Sequence, residues 1–194
     1  IYYSINEIEL AITQKKKVSF YYFDYNEKKE KVFRKGKKRY YINPYAMLIS
    51  NDNYYLIGYN DYYRNFLHFR IDRMTETRIS HYDIVESGEI DEFDLAKHYR
   101  QLFGMYSGDE QTVKLSFDKN LIDVVIDKFG ESVKLVPQSE DSIETEVDVQ
   151  VSPQFIAWVN SFGKQMKVLS PGSVVKQIKE SLIEALSQYG DALS

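Results

Sequence analysis

The chain has 194 residues, 43% of them hydrophobic and 28% charged, which is ordinary globular composition and enough length for two packed domains. Cysteine is absent and histidine occurs only at His68, His81 and His98, without metal-ligand spacing; disulfides, thiolate metal sites and a cysteine nucleophile are excluded and no structural metal is expected. No apolar run reaches bilayer length and no signal-peptide pattern opens the chain, so the expected location is the cytoplasm.

Charge is unevenly distributed. Residues 1–80 hold 15 Lys plus Arg against 9 Asp plus Glu, and the remainder holds 10 against 20. Thirteen of the 17 tyrosines fall in the same basic stretch. Rings and cations together suit nucleotides and single-stranded nucleic acid, although tyrosine is also a good strand residue on a half-exposed barrel.

In chain order, Ile5, Ile8 and Ile12 recur at helical spacing behind Ser4, with Glu7 three residues on, which predicts a helix over Ser4 to Lys16 opened by a capping box. Val18 to Tyr25, Tyr40 to Ser50, Tyr54 to Asn60, Phe66 to Ile71 and Thr75 to Val85 read as five short strands, with Asn51-Asp52-Asn53 as a turn. The pattern predicts a small antiparallel barrel, which removes the open edges of a flat sheet. Lys28 to Arg39, with eight basic residues and Glu30, reads as a solvated hairpin loop or as a source of non-specific affinity for nucleic acid.

The composition turns acidic from Glu86, and Asp94 to Phe103 predicts a short connecting helix ended by Gly104. Beyond it come a strand over Thr112 to Phe117, a helix over Leu121 to Phe129, strands over Ser132 to Pro137 and Ile143 to Val151, and a helix from Pro153 capped by Ser152. A strand over Gln165 to Leu169 and a last helix capped at Ser170 complete the order β-α-β-β-α-β-α. That order predicts a ferredoxin-like domain with an added helix. The expected division is therefore an N-terminal domain over 1–86, a linker over 87–111 and a C-terminal domain over 112–194.

Tyr40-Tyr41-Ile42-Asn43-Pro44-Tyr45, then Tyr54-Tyr55-Leu56, then Phe69-Arg70-Ile71-Asp72-Arg73 follow one another in an order that resembles the WYL domain family. The second half, through Leu115-Ser116-Phe117, Asp127-Lys128-Phe129-Gly130, Phe155-Ile156-Ala157-Trp158-Val159 and Val168-Leu169-Ser170-Pro171, looks like the C-terminal extension that accompanies many WYL domains. The resemblance implies an SH3-like, Sm-type barrel and a ligand-sensing role in a bacterial transcriptional regulator. Such regulators usually carry an N-terminal winged helix-turn-helix that contacts DNA; no segment here has that role, and the chain reads as an excised fragment of a longer protein. Asn43 stands where a serine is common, and Leu67 where a basic residue is common.

Alternation from Phe66 sends Leu67, Phe69 and Ile71 to one strand face and His68 and Arg70 to the other, with Arg73 three residues on. Two guanidiniums and an imidazole on a rigid strand suit a phosphate or carboxylate, while the alternative ties both arginines to Asp72 or to acidic groups of the second domain. His68 also reads as a solvated histidine, and Tyr55 as a barrel-packing ring. The resemblance favours the ligand reading and sets Tyr45 and Tyr55 beside Arg70, Arg73 and His68. A nucleotide or short single strand is the expected effector, a homodimer the expected assembly, and direct RNA or single-strand binding or a purely structural role the alternatives. No phosphate loop, zincin helix or nucleophile elbow occurs, so neither an enzyme nor a cofactor is expected.

Overall fold

The computed structural model describes residues 1–190, which form two compact units, Ile1–Phe93 and Asp94 onward. The first opens with helix α1 (Tyr2–Thr13), two residues earlier than the capping box predicts. Ser4 and Glu7 are not caps: the Ser4 hydroxyl accepts a hydrogen bond from Thr77 Oγ1 at 3.0 Å, and a Glu7 carboxylate oxygen accepts one from the Ile79 amide at 2.8 Å. Both polar residues instead fasten the helix to the last strand of the unit. Ser4, Ile8 and Ala11, at helical spacing, form its buried face.

Six strands follow: β1 (Lys16–Tyr25), β2 (Lys31–Phe33), β3 (Tyr40–Ser50), β4 (Asn53–Asn60), β5 (Asn65–Arg70) and β6 (Met74–Asp83). All pairs are antiparallel; β1 joins β2, β3 and β6, and β4 lies between β3 and β5. Asn51 and Asp52 both take positive φ, 47° and 59°, to turn β3 into β4, the conformation for which those side chains suit a tight hairpin. The sheet is curled into a half-barrel. A single 3-10 turn, Ile71–Arg73, carries the chain from β5 to β6, and no ladder joins those two strands among the described residues.

The core of this unit is aromatic. Phe20 and Tyr40 stack with their ring centres 5.5 Å apart, and Phe69 meets Phe20, Tyr22 and Tyr40 edge-on at 5.1, 5.3 and 5.5 Å. Ile8, Val18, Ile42, Leu56 and Ile71 complete it, and Leu67 packs against its rim.

Lys28 to Arg39 is largely exposed, as a charge run predicts, but it is not a plain loop. It contains β2 and a 3-10 turn (Arg34–Lys37), and its cations lie on rings: Lys31 over Phe23 at 4.5 Å, Arg34 over Tyr22 at 5.0 Å, Lys35 over Tyr40 at 4.3 Å and Arg39 over Tyr21 at 4.4 Å. Attraction of each cation to the ring face helps to hold the segment down, an effect that a count of charges does not register.

The second unit contains α3 (Leu95–Gln101), after the short helix α2 (Gly88–Asp91) that ends the first, then β7 (Asp109–Asp118), α4 (Ile122–Phe129), β8 (Val136–Pro137), β9 (Ser142–Val151), α5 (Pro153–Ser161), β10 (Met166–Ser170) and α6 (Gly172–Ser187). The strands form a second antiparallel sheet in the order β10-β7-β9-β8. Val113, Leu115, Phe117, Val125, Phe155 and Val174 are central to its core. The Ser152 hydroxyl caps α5 by accepting from the Phe155 amide at 3.2 Å, as expected. Ser170, by contrast, ends β10 and does not cap α6, whose N-cap is Pro171. The strand expected over Ser132 to Pro137 shrinks to two residues. No helix among the described residues is long and apolar enough to cross a membrane.

Candidate anion-binding site

The register of β4 and β5 sets the expected site residues. Tyr55 stands directly opposite Arg70 and Ile57 opposite His68, so Tyr55, His68 and Arg70 share the sheet face turned away from Leu56 and Phe69. Tyr22 fixes the backbone there: its buried phenol oxygen accepts the Arg70 amide N–H at 3.1 Å, and burial pushes the phenol's pKa up. The side chain of Arg70 grips Asp72 through both carboxylate oxygens, Nε to Oδ1 at 3.0 Å and Nη2 to Oδ2 at 2.8 Å, and Nη2 also reaches Asn53 Oδ1 at 2.6 Å. The bond from Arg70 holds the Asp72 carboxyl below the usual carboxylate range.

Arg73 projects from the 3-10 turn. Its Nε is 3.8 Å from Asp72 Oδ2, outside hydrogen-bond reach, and its guanidinium lies over the Tyr25 ring at 4.5 Å. A third arginine enters from the basic run: Arg34 grips Asp24 through Nε to Oδ2 at 2.6 Å and Nη2 to Oδ1 at 2.9 Å. That bond holds the Asp24 carboxyl below its usual range, with a smaller contribution from Arg73. Asp24, Arg34, Arg70, Asp72 and Arg73 thus form one network around Tyr22 and Tyr25. Three guanidiniums face two carboxylates, which leaves a surplus positive charge.

The structure brings Tyr55, His68, Arg70 and Arg73 to one region and sets Tyr45 elsewhere. The Tyr45 hydroxyl donates to the Phe93 carbonyl at 3.0 Å, and its ring meets Phe66 and Phe93 edge-on at 5.5 and 5.0 Å. Asn43 is a buried brace: its Nδ2 donates to the Tyr59 carbonyl at 2.9 Å and its Oδ1 accepts from the Val85 amide at 2.8 Å. Sequence reasoning missed Arg34, Asp24 and Tyr25. Arg34 was hidden among like charges, and the spacing of ten residues between Asp24 and Arg34 becomes a contact only through the β1–β2 hairpin.

Residues 4–79 match the family model of the WYL domain, and residues 109–186 match that of the WCX domain. No curated protein matches the chain. Among solved structures, a CRISPR Cas-related protein is 17% identical, with all of this chain and 54% of that one covered and a TM-score of 0.53. Proteasome accessory factor B/C (PafBC) of Arthrobacter aurescens is 16% identical, with 90% of this chain and 26% of that one covered and a TM-score of 0.40. The chain spans about half or less of the length of these proteins. With its first unit matched as a WYL domain and its second as a WCX domain, the chain belongs to the WYL-domain family.

Proposed function

We propose that this chain is the effector-sensing part of a transcriptional regulator and that its first unit binds a negatively charged ligand, a nucleotide or short single-stranded nucleic acid, at Arg70 and Arg73. WYL-domain proteins are generally ligand-sensing regulators rather than enzymes. The observation that carries the reading is the surplus guanidinium: Arg34 and Arg70 are each held bidentately by a carboxylate, whereas Arg73 stacks on Tyr25 without a hydrogen bond to Asp72. A phosphate entering here finds a guanidinium that lacks its own carboxylate, beside a ring on which a base can stack. Tyr55 and His68, on the face of Arg70, flank that position, whereas Tyr45, packed on Phe66 and Phe93, is no part of it.

In this reading the half-barrel is an SH3-like, Sm-type module over residues 1–86, and residues 87–111 link it to a ferredoxin-like module over 112–194, which the strand order β10-β7-β9-β8 supports. The regulator acts in the cytoplasm as a homodimer that contacts DNA through a helix-turn-helix outside this chain. Ligand binding biases the arrangement of its parts by binding one state more tightly than another.

The test is fluorescence anisotropy with labelled oligonucleotides of graded length, on the wild type and on a folded Arg70→Ala/Arg73→Ala variant. Saturation at a mono- or dinucleotide, lost in the variant, is the expected result. Affinity that climbs steadily with length and survives the variant replaces the pocket with a direct single-strand binder. No binding at low salt overturns the nucleotide reading.

A further inference from the structure

Phe66, His68 and Arg70 alternate onto one face of β5, and across the ladder Tyr59 stands opposite Phe66 as Tyr55 does opposite Arg70. The face that carries Arg70 therefore ends, about 13 Å further along the strand, at Phe66. That end is occupied by the chain's own residues 87–93. The Phe93 ring stacks on Phe66 with centres 3.6 Å apart and planes 16° apart, and Tyr45 closes on both rings edge-on. The Tyr45 hydroxyl donates to the Phe93 carbonyl at 3.0 Å. Upstream, the Glu89 carboxylate pairs with Arg64 and accepts from the Tyr59 hydroxyl at 3.4 Å.

The segment thus makes the contacts that a nucleotide makes, an anion on a guanidinium and a ring stacked on a ring. Side chains hold it in place. The amides of Ile90, Asp91, Glu92 and Phe93 donate to carbonyls of the segment itself, those of Ser87, Gly88 and Ile90, at 2.9 to 3.3 Å. No strand pairs with it among the described residues, and Gly88, Glu89, Asp91 and Glu92 are exposed. A segment without ladder bonds and half in solvent opens at lower cost than the sheet beneath it. It also runs directly into the second unit, which begins at Asp94.

We propose that residues 87–93 are a latch that the ligand lifts: a dinucleotide anchored at Arg70 and Arg73 stacks its second base on Phe66 in place of Phe93, whereas a mononucleotide ends short of it. The proposal rests on the nucleotide reading of the Arg70 and Arg73 site and adds the step by which occupancy reaches the chain leading into the second unit. Phe66, Tyr45 and Tyr59 then line the second base position. Because latch and ligand compete for one ring, a tighter latch weakens the ligand by the fraction of time that the ring is covered.

The probes are thymidine monophosphate and the 5′-phosphorylated thymidine dinucleotide, titrated against the whole chain by calorimetry, with amide hydrogen exchange followed across 85–93. The dinucleotide is expected to speed exchange at 87–93 and the monophosphate to leave it unchanged. Phe93→Ala removes the competitor, so dinucleotide affinity rises about threefold or more while monophosphate affinity stays the same. Should Phe93→Ala disturb folding, Glu89→Ala, at an exposed position, loosens the latch instead and raises the same ratio of affinities. Dinucleotide binding with exchange at 87–93 unchanged or slowed, or a ratio that neither variant moves, overturns the latch and leaves the nucleotide site standing. Failure of both probes to bind either the wild type or the Phe93→Ala variant overturns the nucleotide reading, and the latch with it.

Discussion

The guanidinium of Arg73 lies 4.5 Å from the centre of the Tyr25 ring, and that ring is still 50% exposed. A cation attracted to a half-open aromatic face has its position fixed by that ring. Tyr25→Leu removes the quadrupole and preserves an apolar contact. The expected loss of stability is small, on the order of 0.5–1 kcal/mol. Affinity for a labelled dinucleotide should fall several-fold, because Arg73 loses its platform and the base loses its ring. Anisotropy beside chemical denaturation checks both parts, and an unchanged affinity removes Tyr25 from the site.

Arg70 and Asp72 are coupled, and so are Arg34 and Asp24. Both aspartates have folded-state pKa values below their unfolded ones, so their contribution is present above the unfolded value, about 4. It is lost as pH falls through the lower folded values. Stability measured by denaturation should therefore decline below about pH 4. The Arg70→Ala variant should show a shallower decline, since Asp72 then titrates closer to its free value. All four side chains are a third or more exposed, and a double-mutant cycle on Arg70 and Asp72 should give a coupling of no more than about 1 kcal/mol.

Lys128 has a lowered pKa too, but its window lies at alkaline pH. Its ammonium donates to the Leu102 carbonyl and lies 4.1 Å from the centre of the Phe103 ring, and burial brings its pKa down to about 8. Between that value and the unfolded one, about 10.4, the unfolded chain binds more protons than the folded one, so this group makes stability rise with pH. The rise should be visible from pH 8 to about 9.5, below the range where the tyrosines ionise. Lys128→Met should flatten it, which denaturation at a series of pH values reads directly.

Gly58 in β4 has no room for a side chain. A Cβ there meets Ile42 Cγ2 at 2.2 Å and the Asn43 carbonyl oxygen at 3.3 Å. Ile42 is buried, stiff at χ1 and unable to retreat, so Gly58→Ala should destabilise the first unit by roughly 1–3 kcal/mol. Gly36, with open space around its Cα, has no such contact, although its φ of 58° adds strain to any substitution. A thermal midpoint for Gly58→Ala equal to that of the wild type removes the close-packing argument.

The sequence by itself determined five of the six strands of the first unit to within about two residues, missing β2, and also the Asn51-Asp52 turn, the Ser152 cap and the order of elements in the second unit. These are local properties: β-branched and aromatic runs, side chains that tolerate positive φ, and hydroxyls that bond a nearby amide. It also determined that His68 and Arg70 share a face, which follows from alternation alone. Tertiary structure decided the rest. Ser4 and Glu7 satisfy the spacing of a capping box, yet bond to Thr77 and Ile79, more than 70 residues away, because the helix packs on β6. The cations of Lys28 to Arg39 read as a featureless charge run until β1 and β3 supply rings beneath them. The pairing of Arg34 with Asp24, the stacking of Arg73 on Tyr25 and the displacement of Tyr45 toward Phe93 depend on how strands meet. Side-chain chemistry is written residue by residue, but the partner that uses it is selected by long-range packing, where burial and hydrogen bonding outweigh any preference between neighbours in sequence.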